Sequence, residues 1–519
     1  MKKLSIGIQT FSKLIEEDLV YVDKTKQIYN LINGLPYRFL SRPRRFGKSL
    51  LLSTLKEIFS GNKKLFKNLW IGTSDYDWQE YPVVHLDFST MGYSTPAELE
   101  ESLNLILDDI IKKYALVIPT TKIVKIKFKL LIEQLSKKNK VVLLIDEYDK
   151  PILDHIKDIP LAEEIRTKLK EFYDALKGMD ASIHKIFVTG ITKFTKTSIF
   201  SGINNLDDIS IYPEAADLLG YTLDEIKIYF KEHLNHVAQQ NKTSVIHELE
   251  NMTKWYNGYR FSDLSIKVYN PFSVLHYLHK AKLRNYWFIS GTPSFLIQYV
   301  KTQYPSLEEM SRTTLTPEDL DVFEIDNIPL TPLLFQAGYL TISDYNPSND
   351  SFELGFPNYE VESSFKKFMV ATLSGTQSFK INTLCKQLLT SLEHKNIEKF
   401  CSVLKTLFAH IPSILHIAQE SYYHSLFQFL LSLLSLESQS EMLTNKGRID
   451  CVIITEQYVY IFELKLNTDS KKAIEQILSK KYYERFMGIG KLIILVGLSF
   501  KTTEPTFDIE YSMQEMPNV

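Results

Sequence analysis

Ser41-Arg42-Pro43-Arg44-Arg45-Phe46-Gly47-Lys48-Ser49-Leu50 is the stretch on which the reading of this chain turns. Its Gly47-Lys48-Ser49 end has the chemistry of a phosphate-binding turn, in which backbone N–H groups face phosphate oxygens, a lysine meets the terminal phosphates and a hydroxyl takes a place on Mg²⁺. The first glycine of G-x-x-x-x-G-K-[ST] is replaced by Arg42, so the strict pattern is broken there. Tyr37-Arg38-Phe39-Leu40 ahead of it reads as a short strand, and Leu51, Leu52, Leu55, Ile58 and Phe59 behind it recur at helical spacing until Gly61. Strand, turn and helix stand in the order such a loop needs. A basic turn capping a surface helix shares these local features, so the choice rests on what lies downstream.

Downstream, the apolar run Val141-Val142-Leu143-Leu144-Ile145 delivers Asp146-Glu147 at its carboxyl end. That is the complement a hydrolytic phosphate loop requires: Asp146 to hold Mg²⁺ through water and Glu147 to polarise the attacking water. A strand at Pro82 to Phe88, between the two motifs in sequence, lets the sheet set them side by side. The competing reading is a buried strand followed by a charged turn, Asp146-Glu147-Tyr148-Asp149-Lys150. Thr189 and Thr192, near the end of the strand Ile186-Phe187-Val188-Thr189-Gly190, are either sensors of a terminal phosphate or ordinary strand-end hydroxyls. Helical patterns after Pro96 and around Ile165 to Leu176 alternate with these strands. The alternation implies an α/β domain with a mostly parallel sheet, helices on both faces and ligands at the carboxyl ends of the strands. Arg42, Arg44 and Arg45 carry guanidinium forks suited to phosphate oxygens. They are equally suited to pairing with Asp23 or another carboxylate and holding the loop, and the sequence leaves that choice open.

A second chemical centre lies near the other end of the chain. Gly447-Arg448-Ile449-Asp450-Cys451-Val452-Ile453-Ile454 and Tyr458-Val459-Tyr460-Ile461-Phe462-Glu463-Leu464-Lys465 read as adjacent strands. A hairpin of this register brings Asp450 near Glu463, with Lys465 on the same face, so two carboxylates can share a divalent metal while the lysine orients water. Glu420 on a preceding helix, with His424 one turn on, offers a further carboxylate, and Gln476 belongs to the helix that follows. Charges alternating with apolar residues also describe any half-exposed strand, which is the competing account. Lys471, Lys472, Lys480 and Lys481 are phosphate contacts or a solvated helix face.

A chain of 519 residues implies two or three domains. With 60 Lys+Arg against 62 Asp+Glu, its net charge of −2 supplies no global field toward nucleic acid or an anionic membrane. Cys385, Cys401 and Cys451 have no metal-ligand spacing and read as core residues of a protein in a reducing compartment. Gln9, Ser12 and Lys13 interrupt any signal-peptide core after Met1-Lys2-Lys3, and the apolar run Leu426 to Leu434 is too short to cross a bilayer. The expected location is the cytoplasm, away from membranes. Between the two centres the chain is helical and aromatic-rich, with a hairpin expected around Asn346-Pro347-Ser348-Asn349. The expected domains are 1–215 for nucleotide binding, a mostly helical 216–410 and a carboxyl-terminal 411–519, whose block of strands starts at Arg448.

Taken together, Tyr21-Val22-Asp23-Lys24-Thr25, Arg42 to Ser49, Leu144 to Pro151 and the Thr189-Gly190 to Ser201-Gly202-Ile203-Asn204-Asn205-Leu206 segment resemble the bacterial AAA-ATPase-like family. The part from about Ser413 to Phe500 resembles the PD-(D/E)XK nuclease superfamily, with Asp450, Glu463 and Lys465 matching its D…ExK core. Glu420 and Gln476 match its flanking positions, and Arg448-Ile449 stand where the pattern has Pro-Asp. The resemblance implies that the arginine-rich loop is the family's own form of the motif. It implies ATP and Mg²⁺ held by Arg44, Arg45, Phe46, Gly47, Lys48, Ser49 and Asp146, with Glu147 catalytic. It also implies an α/β restriction-endonuclease-like domain in which Glu420, Asp450 and Glu463 bind Mg²⁺ or Mn²⁺ and Asp450, Glu463 and Lys465 act on DNA or RNA. The alternative function is a nucleotide-controlled switch whose last domain binds a partner without cutting, and a third keeps ATP as a structural ligand only. A homo-oligomer is left open.

Overall fold

β1 (Tyr37–Ser41) is buried at all five positions, the pattern of a strand covered on both faces. The computed structural model to which it belongs describes residues 1–193, 199–200, 203, 205–291, 313–320, 329–408, 420–434, 437–444, 447–503 and 506–516. The side chains of 290–291, 378, 420–421, 437–444, 447–448, 503 and 506 lie outside that description. So do Ser201, Gly202 and Asn204 of the family-like segment and most of Thr302 to Pro332. The chain forms two units, Met1–Phe295 with Thr314–Val361, and Leu296–Thr313 with Glu362–Val519.

In the first unit β1 joins β2 (Val83–Asp87), β3 (Val141–Asp146), β4 (Ile183–Gly190) and β5 (Asp207–Asp208) in the order β2-β3-β4-β1-β5, every pair parallel. This corrects one expectation. The phosphate-loop strand and the Asp146 strand are not side by side: β4 lies between them, and the strand at Val83–Asp87 stands at the sheet edge beyond β3. The carboxyl-terminal half of β4 is wholly buried and suits the interior of the sheet, whereas β2, half-exposed at His85 and Asp87, tolerates the edge.

Helices Lys48–Phe59, Pro96–Lys113, Val124–Ser136 and Ile159–Tyr173 accompany the sheet. The Pro96 helix starts as its sequence promises, with proline in the first turn and the Thr95 hydroxyl accepting from Glu98 N–H. In the Tyr21–Thr25 stretch, Asp23 Oδ1 accepts from Thr25 N (2.9 Å) and Thr25 Oγ1 (2.6 Å), and its Oδ2 from Trp70 N (2.7 Å). Asp23 therefore closes the turn that leads into the helix Thr25–Asn33 and ties it to Trp70, rather than serving the loop arginines. Helices Leu223–Tyr229, Lys231–Asn241, Val245–Tyr256, Pro271–Lys280 and Tyr286–Gly291 follow, and Phe230, Val237, Met252, Tyr256 and Tyr277 form a core with Val20 and Val22. The expected hairpin is present as β7 (Thr341–Asn346) and β8 (Ser351–Gly355), with β6 (Thr314–Leu315) beside β8.

The second unit has a five-stranded sheet, β9 (Glu437–Thr444), β10 (Gly447–Ile454), β11 (Tyr458–Leu466), β12 (Leu492–Thr503) and β13 (Thr506–Met516), with neighbours in sequence order. All pairs are antiparallel except β11 with β12, which the helix Ser470–Lys480 connects, as a parallel pair requires. The strands thus begin at Glu437, ahead of the expected Arg448. The polar sequence of β9 hides it from a hydrophobic-pattern reading and suits its place at the sheet edge. The apolar run at Leu426 belongs mostly to the helix Glu420–Ser432. Among the described residues no helix is long and apolar enough to cross a membrane. Cys401 and Cys451 are buried, Cys385 is half-buried, and all three are free thiols.

Candidate functional site

β1 hands the chain to a turn in which Arg45 (φ 67°) and Gly47 (φ 98°) both take left-handed backbone, the conformation that curls peptide groups into an anion-binding concavity. Gly47 caps the helix Lys48–Phe59, whose N-terminal peptide groups face the same space. Lys48 is buried, and its ammonium donates to the carbonyls of Arg42 (2.8 Å) and Pro43 (3.1 Å). Burial lowers its pKa, an effect opposed by the negative field of Asp146, Glu147 and Asp149. Ser49 stands half-buried on the first helical turn. The Phe46 ring packs edge-on against Tyr259 and Phe261, which leaves its backbone for the loop.

The three arginines divide. Arg42 is 2 % exposed and points away from the turn, donating to the carbonyls of Ser41 (2.9 Å), Ser210 (2.6 Å) and Ala215 (2.7 Å) with Phe261 against its guanidinium. Burial pulls its pKa down to about 9, against the favourable charge of Asp208. It holds the loop. Arg44 is half-buried, and its carbonyl accepts from Trp287 Nε1 (3.0 Å). Arg45 is exposed, with its guanidinium 5.1 Å from the centre of the Phe272 ring. A small apolar cleft lined by Val20, Tyr21, Leu50, Leu219, Tyr221 and Pro271 opens beside Gly47.

Asp146 ends β3, and its Oδ1 accepts a 2.6 Å hydrogen bond from Thr189 Oγ1 on the neighbouring β4. Glu147 follows in left-handed backbone (φ 51°). Burial raises the Glu147 pKa, against the pull of Lys48. Asp149 is buried, and its Oδ2 accepts from Ile191 N (2.9 Å), Thr192 N (2.7 Å) and Thr192 Oγ1 (2.7 Å). Both candidate threonines are thus tied to the acidic motif. Gly190 allows this packing, since a Cβ there would stand 2.6 Å from the Tyr148 ring and 2.8 Å from Asp149 Oδ1. Sequence spacing had no means of assigning these cross-strand partners.

In the second unit the pairing of Cys451 with Phe462 brings Asp450 and Glu463 together, as the hairpin reading expects. Leu464 N donates to Asp450 Oδ2 (2.7 Å), His424 Nε2 lies 3.6 Å from the same oxygen, and Lys465 Nζ pairs with Glu463 Oε1 at 3.0 Å. Glu463 is 1 % exposed, and its Oε2 is buried with no hydrogen-bond partner among the described residues. Burial, reinforced by Asp450, pushes its pKa up to about 7 despite Lys465. Gln476 bonds the side chain of Tyr482, whose hydroxyl feels the charge of Glu463 and Asp450. Tyr482 escaped the sequence reading because it follows the helix, outside any motif spacing. The side chain of Glu420 lies outside the described residues. Lys471, Lys472, Lys480 and Lys481 are exposed, and Lys481 pairs with Glu484. Among the described residues no three or more His, Cys, Asp or Glu form a metal cluster.

Residues 5–200 match the model of a family described as "Predicted AAA-ATPase", a span that holds the loop and the Asp146-Glu147 motif. Residues 418–508 match the PD-(D/E)XK nuclease superfamily, a span that holds Asp450, Glu463 and Lys465. A protein of Azotobacter chroococcum mcd 1, named "Uncharacterized protein in vnfD 5'region", is 35% identical over 513 residues, covering 96% of each chain.

Proposed function

This chain belongs to the family of predicted AAA-ATPases and carries a carboxyl-terminal PD-(D/E)XK nuclease-superfamily domain, and we propose that it hydrolyses ATP in its first unit and cleaves DNA or RNA in its second. The observation that carries the first half is the convergence on Lys48: a curled loop at the end of β1, and Asp146 and Glu147 at the end of β3 within the lysine's electrostatic field. This donor set fits a magnesium nucleotide. Ser49 and Asp146 would hold Mg²⁺, and Lys48, Arg44, Arg45 and the backbone from Phe46 to Gly47 would meet phosphates. When bound, Mg²⁺ supplies neutralisation of phosphate charge. Thr189 fixes the rotamer of Asp146 by its hydrogen bond. Glu147, made more basic by burial, accepts a proton from the attacking water. The apolar cleft beside Gly47 receives the base.

Lys48→Ala is expected to abolish nucleotide binding, while Glu147→Gln retains binding and loses turnover. Equal ATP turnover in wild type and both variants would refute this assignment.

The nuclease half is supported by the buried, unpartnered Glu463 Oε2 beside Asp450, a carboxylate oxygen that a divalent cation would satisfy. Asp450 and Glu463 would hold such a cation, which would supply charge neutralisation at a phosphodiester, and Lys465 would orient water. Asp450→Ala is expected to abolish Mg²⁺- or Mn²⁺-dependent cleavage of single- or double-stranded nucleic acid; cleavage that survives it belongs elsewhere. A second reading, the nucleotide-controlled switch, is favoured by the commitment of Asp450 to Leu464 N–H and of Glu463 to Lys465. Absence of cleavage on every such substrate, with ATP binding intact, would establish it over the nuclease. With its three free thiols the protein is assigned to the cytoplasm.

A further inference from the structure

The turn that lacks its first glycine is braced from far along the chain. Trp287, 1 % exposed on the helix Tyr286–Gly291, donates its indole N–H to the Arg44 carbonyl at 3.0 Å. Across a trans peptide the C=O and the following N–H point in opposite directions. A carbonyl held by Trp287 on one side of the turn therefore aims the Arg45 N–H to the other, and Arg45 sits in left-handed backbone that a non-glycine residue rarely adopts unaided.

Trp287 is itself anchored. Its backbone N–H donates to Glu360 Oε1 (2.6 Å), Ser273 Oγ donates to Glu360 Oε2 (2.7 Å), and the Phe288 N–H bonds the same carboxyl. The indole lies edge-on to Tyr339, with ring centres 5.4 Å apart. At Gly338 a Cβ would stand 2.6 Å from Pro43 of the loop and 3.3 Å from the indole, so this glycine lets loop and indole close on one another. Helix, glycine and buried carboxyl share one geometric product, the plane of the Arg44-Arg45 peptide.

We infer that Trp287 is a positioning residue for nucleotide phosphates, its indole N–H orienting the Arg44-Arg45 peptide so that Arg45 N–H faces the phosphate site. The inference rests on the nucleotide-binding reading above and adds to it a residue outside every phosphate-loop pattern. It acts through Arg45, so its effect falls on binding.

Two experiments on the full chain test it. Trp287→Phe keeps an aromatic ring and deletes the N–H; binding of a fluorescent ATP analogue is expected to weaken about 10-fold, with KM for ATP rising in parallel and kcat changing less than about three-fold. In a second chain Trp70, Trp78 and Trp255 are replaced by Phe, leaving Trp287 as the sole tryptophan. Its emission is expected to shift on addition of ATP and to stay constant when Lys48→Ala is added. Unchanged affinity in Trp287→Phe, or an emission silent to ATP in a chain that binds the analogue, would overturn the inference and leave the nucleotide reading standing. If Trp287→Phe does not fold, the emission decides. Failure of the wild type to bind the analogue would remove both.

Discussion

Glu360→Gln is the substitution whose effect follows most directly from the structure. Glu360 is 1 % exposed, and burial pushes its pKa from 4.5 up to about 7, although Ser273, Trp287 and Phe288 donate to it. The folded protein therefore binds the proton more tightly than the unfolded chain. The stability linked to this proton is fully present below the unfolded value near 4.5 and is lost as pH rises through about 7. At roughly 1.4 kcal/mol per pKa unit, the loss across that window is about 3 kcal/mol. Glutamine keeps a carbonyl for Trp287 N–H and an amide that can meet Ser273, but it does not titrate. All four tryptophans lie in the first unit, so urea unfolding followed by tryptophan emission reports that unit alone. Between pH 5 and pH 8, a window that starts above the unfolded value and so captures part of this change, the variant is expected to gain about 2.5 kcal/mol relative to wild type, since other titrating groups cancel in the difference. Parallel pH profiles, or a gain by wild type as pH rises, would refute the reasoning.

Arg42→Ala removes three charge-assisted hydrogen bonds and strands buried carbonyls, offset by removal of a desolvated cation; a net loss of about 2–4 kcal/mol in the same unfolding assay is expected, and a loss under about 1 kcal/mol would show the strap to be idle. Thr189→Val preserves shape and deletes the bond to Asp146, so turnover of ATP should fall about 10-fold or more with nucleotide affinity within about three-fold; equal losses in both would place Thr189 in ground-state binding. Glu463→Gln removes a carboxyl whose pKa burial and Asp450 raise, so by calorimetry its second unit should gain stability over wild type as pH rises through about 7 while metal-dependent cleavage disappears; a variant less stable at pH 8 than at pH 5, relative to wild type, contradicts this.

What the sequence disclosed and what it withheld follow a physical line. The strand into Arg42, the helix from Lys48 and the Asp146-Glu147 strand are local patterns, legible because periodicity and turn chemistry act over a few residues. The Asp450–Glu463 approach was legible too, since a hairpin converts spacing into contact. The order of the first sheet was not, because which parallel strand enters the middle depends on burial of both faces after crossover helices have folded. Nor were Thr189 on Asp146, Trp287 on Arg44 or Glu360 on Trp287, each joining residues from separate elements. β9 was missed for another reason: its Glu-Ser-Gln-Ser-Glu sequence carries no apolar alternation, and its pairing comes from β10.

The inward turn of Arg42 bears on how such a loop can be altered. With its guanidinium on the carbonyls of Ser41, Ser210 and Ala215, a glycine placed at this position would leave all three without that donor. The neighbouring backbone depends on the arginine, and the consensus letter would be the deleterious one here. Pattern searches that demand a glycine at this position would pass over the lineage, and engineers who restore it to consensus would be removing a beam.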